Sequence, residues 1–451
     1  MKIFRHPAFF PIFSLTLFLG AAGGLRAADA VRLREAFPAG YQYHVSTRVE
    51  LTGSLTLPAE KGKPAPAPLA VTGDSAIDYD ERVLTAAADG TVEKTLRVYR
   101  RLDMHRNVGA QKQESAVRPT VRRMVVLRRQ NVAVPFSPDG PLTWGEIDLV
   151  RTDVFTPALA GLLPDGEVKP GDRWTARRTA IQALTDLGHI DEGDVECRLE
   201  GVTTLEGRRH ARVALAGTVR GVNEDGPNRQ RLDGYYFFDL ESGHLGYLYL
   251  KGVNFLLDKD GKEVGRVEGQ FVLTRQAHTA ARDLADEALR GVALEPDAEN
   301  TKLLYDDPTL GVRFLYPRRW RVAGVRGRQL GVDSADGSGL LLTLEPPSRV
   351  PTGAQFLAES RNYLQEQKAR VLRIDPPRAV QAAPREVEQF GLEVEVMGQR
   401  VQMDYYVARQ AGGGATLAAR LLPGDLANLR KEVEGIARSL TLTRAVEDRP
   451  R

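Results

Sequence analysis

Apolar and polar residues alternate over long stretches of this chain, and the alternation has a period of two. In Tyr41–Leu57, the residues Tyr41, Tyr43, Val45, Thr47, Val49 and Leu51 share one parity, which predicts a long half-buried strand. Gly53 is placed there as a bulge or break ahead of Leu55 and Leu57. Residues 58–68 (PAEKGKPAPAP) read as a proline-rich loop that cannot join a sheet ladder. The same reading predicts strands at Leu69–Tyr79, Thr91–Tyr99, Arg122–Arg128 and Val132–Phe136. Met104–Arg118 is polar and reads as a loop or short helix. Thr152–Leu163 has helical spacing at Val154, Leu159, Leu162 and Leu163, with Pro157 near its first turn.

In Leu162–Ala176, Asp165-Gly166 and Lys169-Pro170-Gly171-Asp172 predict turns, and Trp174 opens a strand. Strands are then predicted at Val195–Val202, Arg209–Ala216, Gly234–Asp239, Leu245–Asn254 and Arg266–Thr274. Glu206-Gly207, Ser242-Gly243 and Asp260-Gly261 separate them as in an antiparallel meander. The rhythm of LEGRRHARVAL, GYYFFDLESGHLGYLYLKGV and KDGKEVGRVEGQFVLTR resembles secreted β-rich proteins of the LolA-like lipoprotein-carrier type. The resemblance covers residues 35–276 of a β-rich domain at 31–276, and implies a strongly curved sheet or half-barrel with a concave face able to hold an apolar ligand.

Residues 277–302 are rich in Ala and Glu, with helical spacing followed by Pro296 and acidic residues. They read as a helix and linker, with a domain boundary near residue 300. A second unit opens at DDPTLGVRFLYPRRWRV. Strand Val312–Tyr316 is stopped there by Pro317, and Trp320 follows as the expected core anchor. Strands are predicted at Gln329–Val332, Leu340–Leu344, Val371–Ile374, Leu392–Met397, Val401–Ala408 and Ala415–Leu421. Helices are predicted at Ala354–Ala369, with Phe356, Leu357, Tyr363 and Leu364 on one face, and at Asp425–Ser439 with Asp425 as N-cap. The stretch GVRFLYPRRW and this order of elements resemble PsbP-like domains, over residues 303–444. That resemblance implies an antiparallel sheet packed with helices. The fold class is therefore α+β in two domains, the first mostly antiparallel β, with residues 445–451 as a disordered tail.

Composition changes this picture mainly through the first thirty residues. Lys2, Arg5 and His6 precede an apolar run from Ala8 to Leu19, and small residues lead to Ala27, Ala28 and Ala30: the order of a signal peptide, residues 1–30. The run is shorter than the roughly 20 residues that span a bilayer, so no integral span is expected after cleavage. The expected location is the periplasm or the extracellular space. Removal of residues 1–28, with Lys2, Arg5 and Arg26, takes the formal charge from +3 to zero, which argues against general nucleic-acid binding. Cys197 is the only cysteine, so no intramolecular disulfide forms. Its alternating position reads as a buried strand residue.

Motifs that carry chemistry are few. HExxH, GxSxG, GxxxxGK[ST] and metal-type Cys/His spacings are all missing, and no catalytic, cofactor or metal residue is assigned. Asp258-Lys259-Asp260-Gly261 with Glu263 has part of a calcium-loop pattern but sits between two strands and reads as a hairpin turn. Gly73-Asp74-Ser75 has no histidine placed to activate it, and His44, His210 and His244 fall inside strand patterns. One charged feature remains: Arg313, Arg318, Arg319, Arg321, Arg326 and Arg328 lie close together in a half that carries 23 basic and 18 acidic residues (301–451). The run reads either as a patch for an anionic lipid, cell-wall polymer or acidic envelope protein, or as a solvated edge in an Arg-rich chain. The function expected is a secreted or periplasmic, non-catalytic envelope protein that binds a ligand or partner through its two modules. The alternatives are a carrier of a lipid or other hydrophobic molecule in the concave β face, and a hydrolase without a known signature.

Overall fold

The alternation of Tyr41–Leu57 becomes one strand in a twelve-stranded antiparallel sheet. The computed structural model describes residues 30–57, 66–129, 132–223, 226–382 and 385–448. The expected signal peptide, apart from Ala30, and most of the proline-rich loop lie outside these residues, as do 449–451 of the expected tail. The first unit holds β1 (Val31–Arg32), β2 (Gln42–Leu55), β3 (Leu69–Ala86), β4 (Val92–Val108), β5 (Gln111–Ala116), β6 (Arg123–Arg129) and β7 (Val132–Phe136). Helix α1 (Trp144–Thr152), a 3-10 turn (Thr156–Leu162), β8 (Glu167–Val168), β9 (Arg173–Thr175) and α2 (Arg178–Thr185) follow. The long strands β10 (His189–Leu205), β11 (Arg208–Asn223), β12 (Gly226–Asp239), β13 (His244–Leu257) and β14 (Glu263–Ala277) complete it. Their order is β7-β6-β4-β3-β2-β14-β13-β12-β11-β10-β9, with β5 paired to β4, so the first long strand sits beside the last.

One face of this sheet is filled by the chain itself. Tyr43, Val45, Ile77, Tyr79, Val213, Leu215, Leu232, Tyr236, Leu248 and Leu273 are buried with Ile147, Val150, Phe155, Leu159, Leu162 and Ile181 from the helical segment. Polar contacts fix that segment in place. The Tyr236 hydroxyl donates to Leu162 O at 3.1 Å, and Gln230 Nε2 donates to Thr185 O at 2.8 Å. No α-helix spans Thr152–Leu163 as expected: α1, started at Trp144 by a Thr143–Glu146 capping box, ends at Thr152, and a 3-10 segment covers Thr156–Leu162. The chain is extended at Asp153, and Pro157 then sits in the first turn of the 3-10 segment. Met104–Arg118 is neither loop nor helix: most of it is a hairpin, the end of β4 turning into β5, whose polar residues suit a ribbon with water on both sides.

The second unit comprises β15 (Leu303–Asp307), β16 (Val312–Tyr316), β17 (Trp320–Arg326), β18 (Gln329–Ser334), β19 (Gly339–Glu345), α3 (Gly353–Glu366), β20 (Arg370–Ala382), β21 (Arg385–Val396), β22 (Gln399–Gln410), β23 (Gly413–Leu421), α4 (Leu426–Ser439) and β24 (Thr441–Leu442). Seven strands pair in the order β17-β18-β19-β23-β22-β21-β20, and β15-β16-β24 form a small sheet. Helices cover opposite faces of the larger sheet. Asp404 is ion-paired with Arg430 of α4, while its neighbour Tyr405 packs edge-on to Phe356 of α3. Trp320 is fully buried, and its Nε1 donates to Glu432 of α4 at 2.7 Å. Tyr363 is 61% exposed, so only Phe356, Leu357 and Leu364 of the expected face pack. Asp425 stands at the N-cap of α4 but does not cap it; its carboxylate accepts from Asn428 Nδ2 and Arg319 instead.

Residues 277–302 hold one 3-10 turn, Arg282–Leu284, where a helix was expected, and they lie along the first sheet. Leu284 is buried with Leu96, Val125 and Phe136; Arg82 pairs with Asp286 and Lys94 with Glu295. Beyond this strap Leu303 bridges Leu142, and Leu304 N donates to Leu142 O at 2.8 Å. Buried apolar residues are continuous through this junction from one unit into the other. Residues 445–448, expected to be disordered, are docked: Val446 N donates to Gly412 O, Arg328 to Glu447 O and Ser348 Oγ to Asp448.

Candidate binding face on the outer side of the first sheet

Because Leu232, Tyr236 and Phe238 point inward, Arg231, Asp233, Tyr235 and Phe237 point outward, and the antiparallel register carries this parity across the sheet. One outward row runs Glu50, Gln270, Lys251, Asp233, Ala216 across β2, β14, β13, β12 and β11. The next runs Thr52, Glu268, Val253, Arg231, Thr218. Between them lie Leu51, Gly269, Gly252, Leu232 and Gly217. These three rows are the lining of a cleft of about 860 Å³. The side chains of the middle row point to the inner face with Leu232, so the floor between the walls is backbone. Gly217 is there because a Cβ would meet Asp194 O at 2.2 Å.

The cleft's polar side chains are uncommitted. Among the described residues, Glu50, Arg231, Asp233, Lys251 and Gln270 have no side-chain hydrogen bond or ion pair, although Asp233 and Lys251 are direct cross-strand neighbours. Glu268 is held by Arg266 at 2.6 Å. On the side of the Glu50 row away from the cleft, the outward positions turn aromatic: Tyr235 faces Tyr249, and Phe237 faces Tyr247. Ring centroids are 5.6 Å apart for Tyr235–Tyr249, 6.0 Å for Tyr235–Tyr247 and 6.1 Å for Phe237–Tyr247, and all four rings are half-buried. Arg212 lies 4.7 Å over Tyr235 and is paired with Glu200, so the platform's rim is charge-balanced there. Burial and the neighbouring tyrosines raise the Tyr247 hydroxyl above its ordinary range, so it stays a neutral donor.

The arginine run does not form one patch. Arg313 pairs with Asp306. Arg318 donates to Thr301 O and Pro135 O; burial, then Arg151 and Arg321, push its guanidinium down to about 10. Arg319 bridges Asp425 and Glu432, and Arg321 stacks 3.6 Å over Trp144. Arg328 ties the tail, and Arg326 stands exposed on β17. Most of these side chains hold strands, helix α4 and the junction in place. Arg318 and Arg319 also line a second cleft, of about 640 Å³, with Glu299, Thr301, Lys302 and one side of α4 from Asn428 to Ile436.

The remaining candidates are structural. Cys197 is fully buried, and burial followed by Glu196 pushes its thiol up to about 12, away from nucleophilic character. Asp258 closes the β13–β14 turn by accepting from the backbone of Asp260 and Lys262. Asp74 meets His105 at 3.0 Å on the surface of β3 and β4, with Ser75 beside it in the strand. Among the described residues no group of three or more His, Cys, Asp or Glu side chains could hold a metal ion. Two buried charge clusters lie in the core. Arg97 joins Glu81 and Asp153 at 2.8 and 2.7 Å, which pins the segment after α1 to the sheet. Arg275 is held by Glu35, beside His244.

No protein-family model and no curated protein matches the chain. Among solved structures, cyanobacterial PsbP from Synechocystis sp. PCC 6803 matches at 13% identity and a TM-score of 0.26, over 31% of this chain and 92% of that one. The Saccharomyces cerevisiae Ran-binding protein Mog1p matches at 9% identity and a TM-score of 0.25, over 32% and 96%. Lipovitellin matches at 11% identity and a TM-score of 0.29, over 54% of this chain and 26% of that one. At such scores these likenesses say nothing of what this chain binds.

Proposed function

We propose that this chain is an exported, non-catalytic binding protein of the cell envelope, acting in the periplasm or outside the cell, and that its first unit carries the binding face. The observation that supports this reading is the outward cleft, where five polar side chains without partners among the described residues line a backbone floor. A rigid sheet fixes their backbone, so binding has only the side chains to order, at about 0.5–1.5 kcal/mol each. The carrier reading draws less support: over one half of the sheet the inner face is covered by residues 144–185, which a hydrophobic cargo would have to displace. The second unit serves as a buttress, braced through the junction and the strap.

Co-sedimentation of the mature chain with an envelope fraction tests the reading. The parent chain should pellet with the envelope, and Asp233→Arg with Lys251→Glu should leave it in the supernatant at unchanged melting temperature. Equal pelleting of parent and variant would refute it.

A further inference from the structure

The outward cleft and the aromatic platform beside it lie on one continuous surface, and the shape and charge of that surface specify a ligand class. We infer that it takes a neutral polysaccharide strand, lying along β12 and β13 with its sugar rings on Phe237, Tyr247, Tyr235 and Tyr249 and its next units over Asp233, Lys251 and Arg231 in the cleft. This inference rests on the binding reading above and names its ligand.

Dimensions come first. Outward residues are two apart along each strand, about 7 Å, so the track from Phe237 to Arg231 on β12, with β13 beside it, is about 20 Å long. That length seats one short stretch of an extended polymer chain. A peptide strand would pair with a sheet edge, since backbone groups in the middle of a sheet already hydrogen-bond within it.

Charge decides between polymers. Glu50 and Asp233 stand against Arg231 and Lys251, while Glu268 is held by Arg266, so the free charges of the walls balance. The two free carboxylates repel a phosphate or uronate backbone, and the two cations disfavour a polycation. A neutral polyhydroxylated chain uses both sets, because each hydroxyl donates and accepts: carboxylates take its protons, and Lys251, Arg231, Gln270 and Thr52 give theirs. The rings supply what hydroxyl groups cannot. A pyranose has a face of C–H groups, and a tyrosine ring is a flat apolar surface with a polar tip that loses little conformational entropy on contact.

Calorimetric titration of the full-length mature chain with cellohexaose, maltohexaose, xylohexaose and N-acetylchitohexaose is the test. At least one should bind with a Kd below about 1 mM (about −4 kcal/mol). Tyr235→Ala with Tyr249→Ala should weaken it at least tenfold, and the bound sugar should protect Lys251 from acetylation in the parent chain, a readout independent of whether the variant folds. Binding of none of the four, or binding without protection of Lys251, would overturn the inference. So would binding of polyuridylate or anionic vesicles in their place. If envelope pelleting is lost on charge reversal yet also on protease treatment of the envelope, the partner is a protein: the polysaccharide falls and the binding reading stands.

Discussion

Trp320→Ala removes the largest fully buried side chain of the molecule. Truncating a buried aromatic to Ala costs about 3–5 kcal/mol through lost transfer energy and the cavity left behind. The indole N–H also donates to the Glu432 carboxylate. Losing that bond adds about 1 kcal/mol, since Glu432 keeps Arg319 as a partner. The sum, about 4–6 kcal/mol, is comparable to the whole stability of many domains, about 5–15 kcal/mol. At about 2–4 °C per kcal/mol for a unit of this size, the melting temperature of the second unit should fall by about 8–24 °C. Trp320→Phe keeps most of the packing and should cost about 1–2 kcal/mol. Scanning calorimetry of the full chain, with near-ultraviolet circular dichroism to follow the tryptophans, reads both. A change within about 0.5 kcal/mol for Trp320→Ala would place the ring on a surface beside the arginines and refute the packing described for α4.

His244 gives a pH dependence with a definite sign. Burial depresses its imidazolium to about 4 from an ordinary 6.5, so its stabilising contribution is complete above pH 6.5 and is lost as the pH falls toward 4. The loss should be about 2–3 kcal/mol in denaturant midpoints between pH 7.5 and 4.5, and His244→Gln should remove that part of the slope; equal slopes would count against it. Gly217→Ala places a Cβ against Asp194 O and should destabilise by about 1–3 kcal/mol in urea unfolding, whereas Gly201→Ala, with open space at its Cβ, should be near neutral.

Much of this fold was legible in the chain because β-structure with one wet face writes a period-two signal. Alternation and turn residues carry the meander from Val195 to Thr274 and most elements after Val312, but not β17 (Trp320–Arg326), where Trp320 reads only as a core anchor. Misreadings occurred where a local device outweighed periodicity. The Thr143–Glu146 capping box starts α1 before its apolar residues begin to repeat, and α2 is too short for periodicity to reveal. The strap at 277–302 has helical spacing because Leu284 and Leu289 face one apolar patch, which an irregular chain reaches as well as a helix does. The aromatic platform left a trace in the sequence: Tyr235 and Phe237 share a parity, as do Tyr247 and Tyr249, in GYYFFDL and GYLYL. What the trace lacks is the register that sets one pair against the other.

The arginine run and the cleft show why nearness along the chain is a poor guide to sites in such a protein. Arg318, Arg319 and Arg321 flank a turn and the start of a strand, where successive side chains leave in different directions. Each therefore finds a different partner: a backbone carbonyl of the first unit, the acids on α4, and the indole of Trp144. A cluster in the sequence is thus spent on three separate tasks. The cleft is assembled the opposite way. Its walls come from five strands spread between Glu50 and Gln270, and each strand gives only two outward residues. No short window carries the pattern, because the spacing that matters is the 4.8 Å between strands and not the distance along any one of them. Its charges remain unpaired for the same reason. Neighbours such as Asp233 and Lys251 are fixed on separate strands of a rigid sheet, and closing a surface ion pair would cost side-chain entropy for about 0–1 kcal/mol of attraction. They stay open to water, and a ligand that can satisfy both at once binds without first breaking a bond between them.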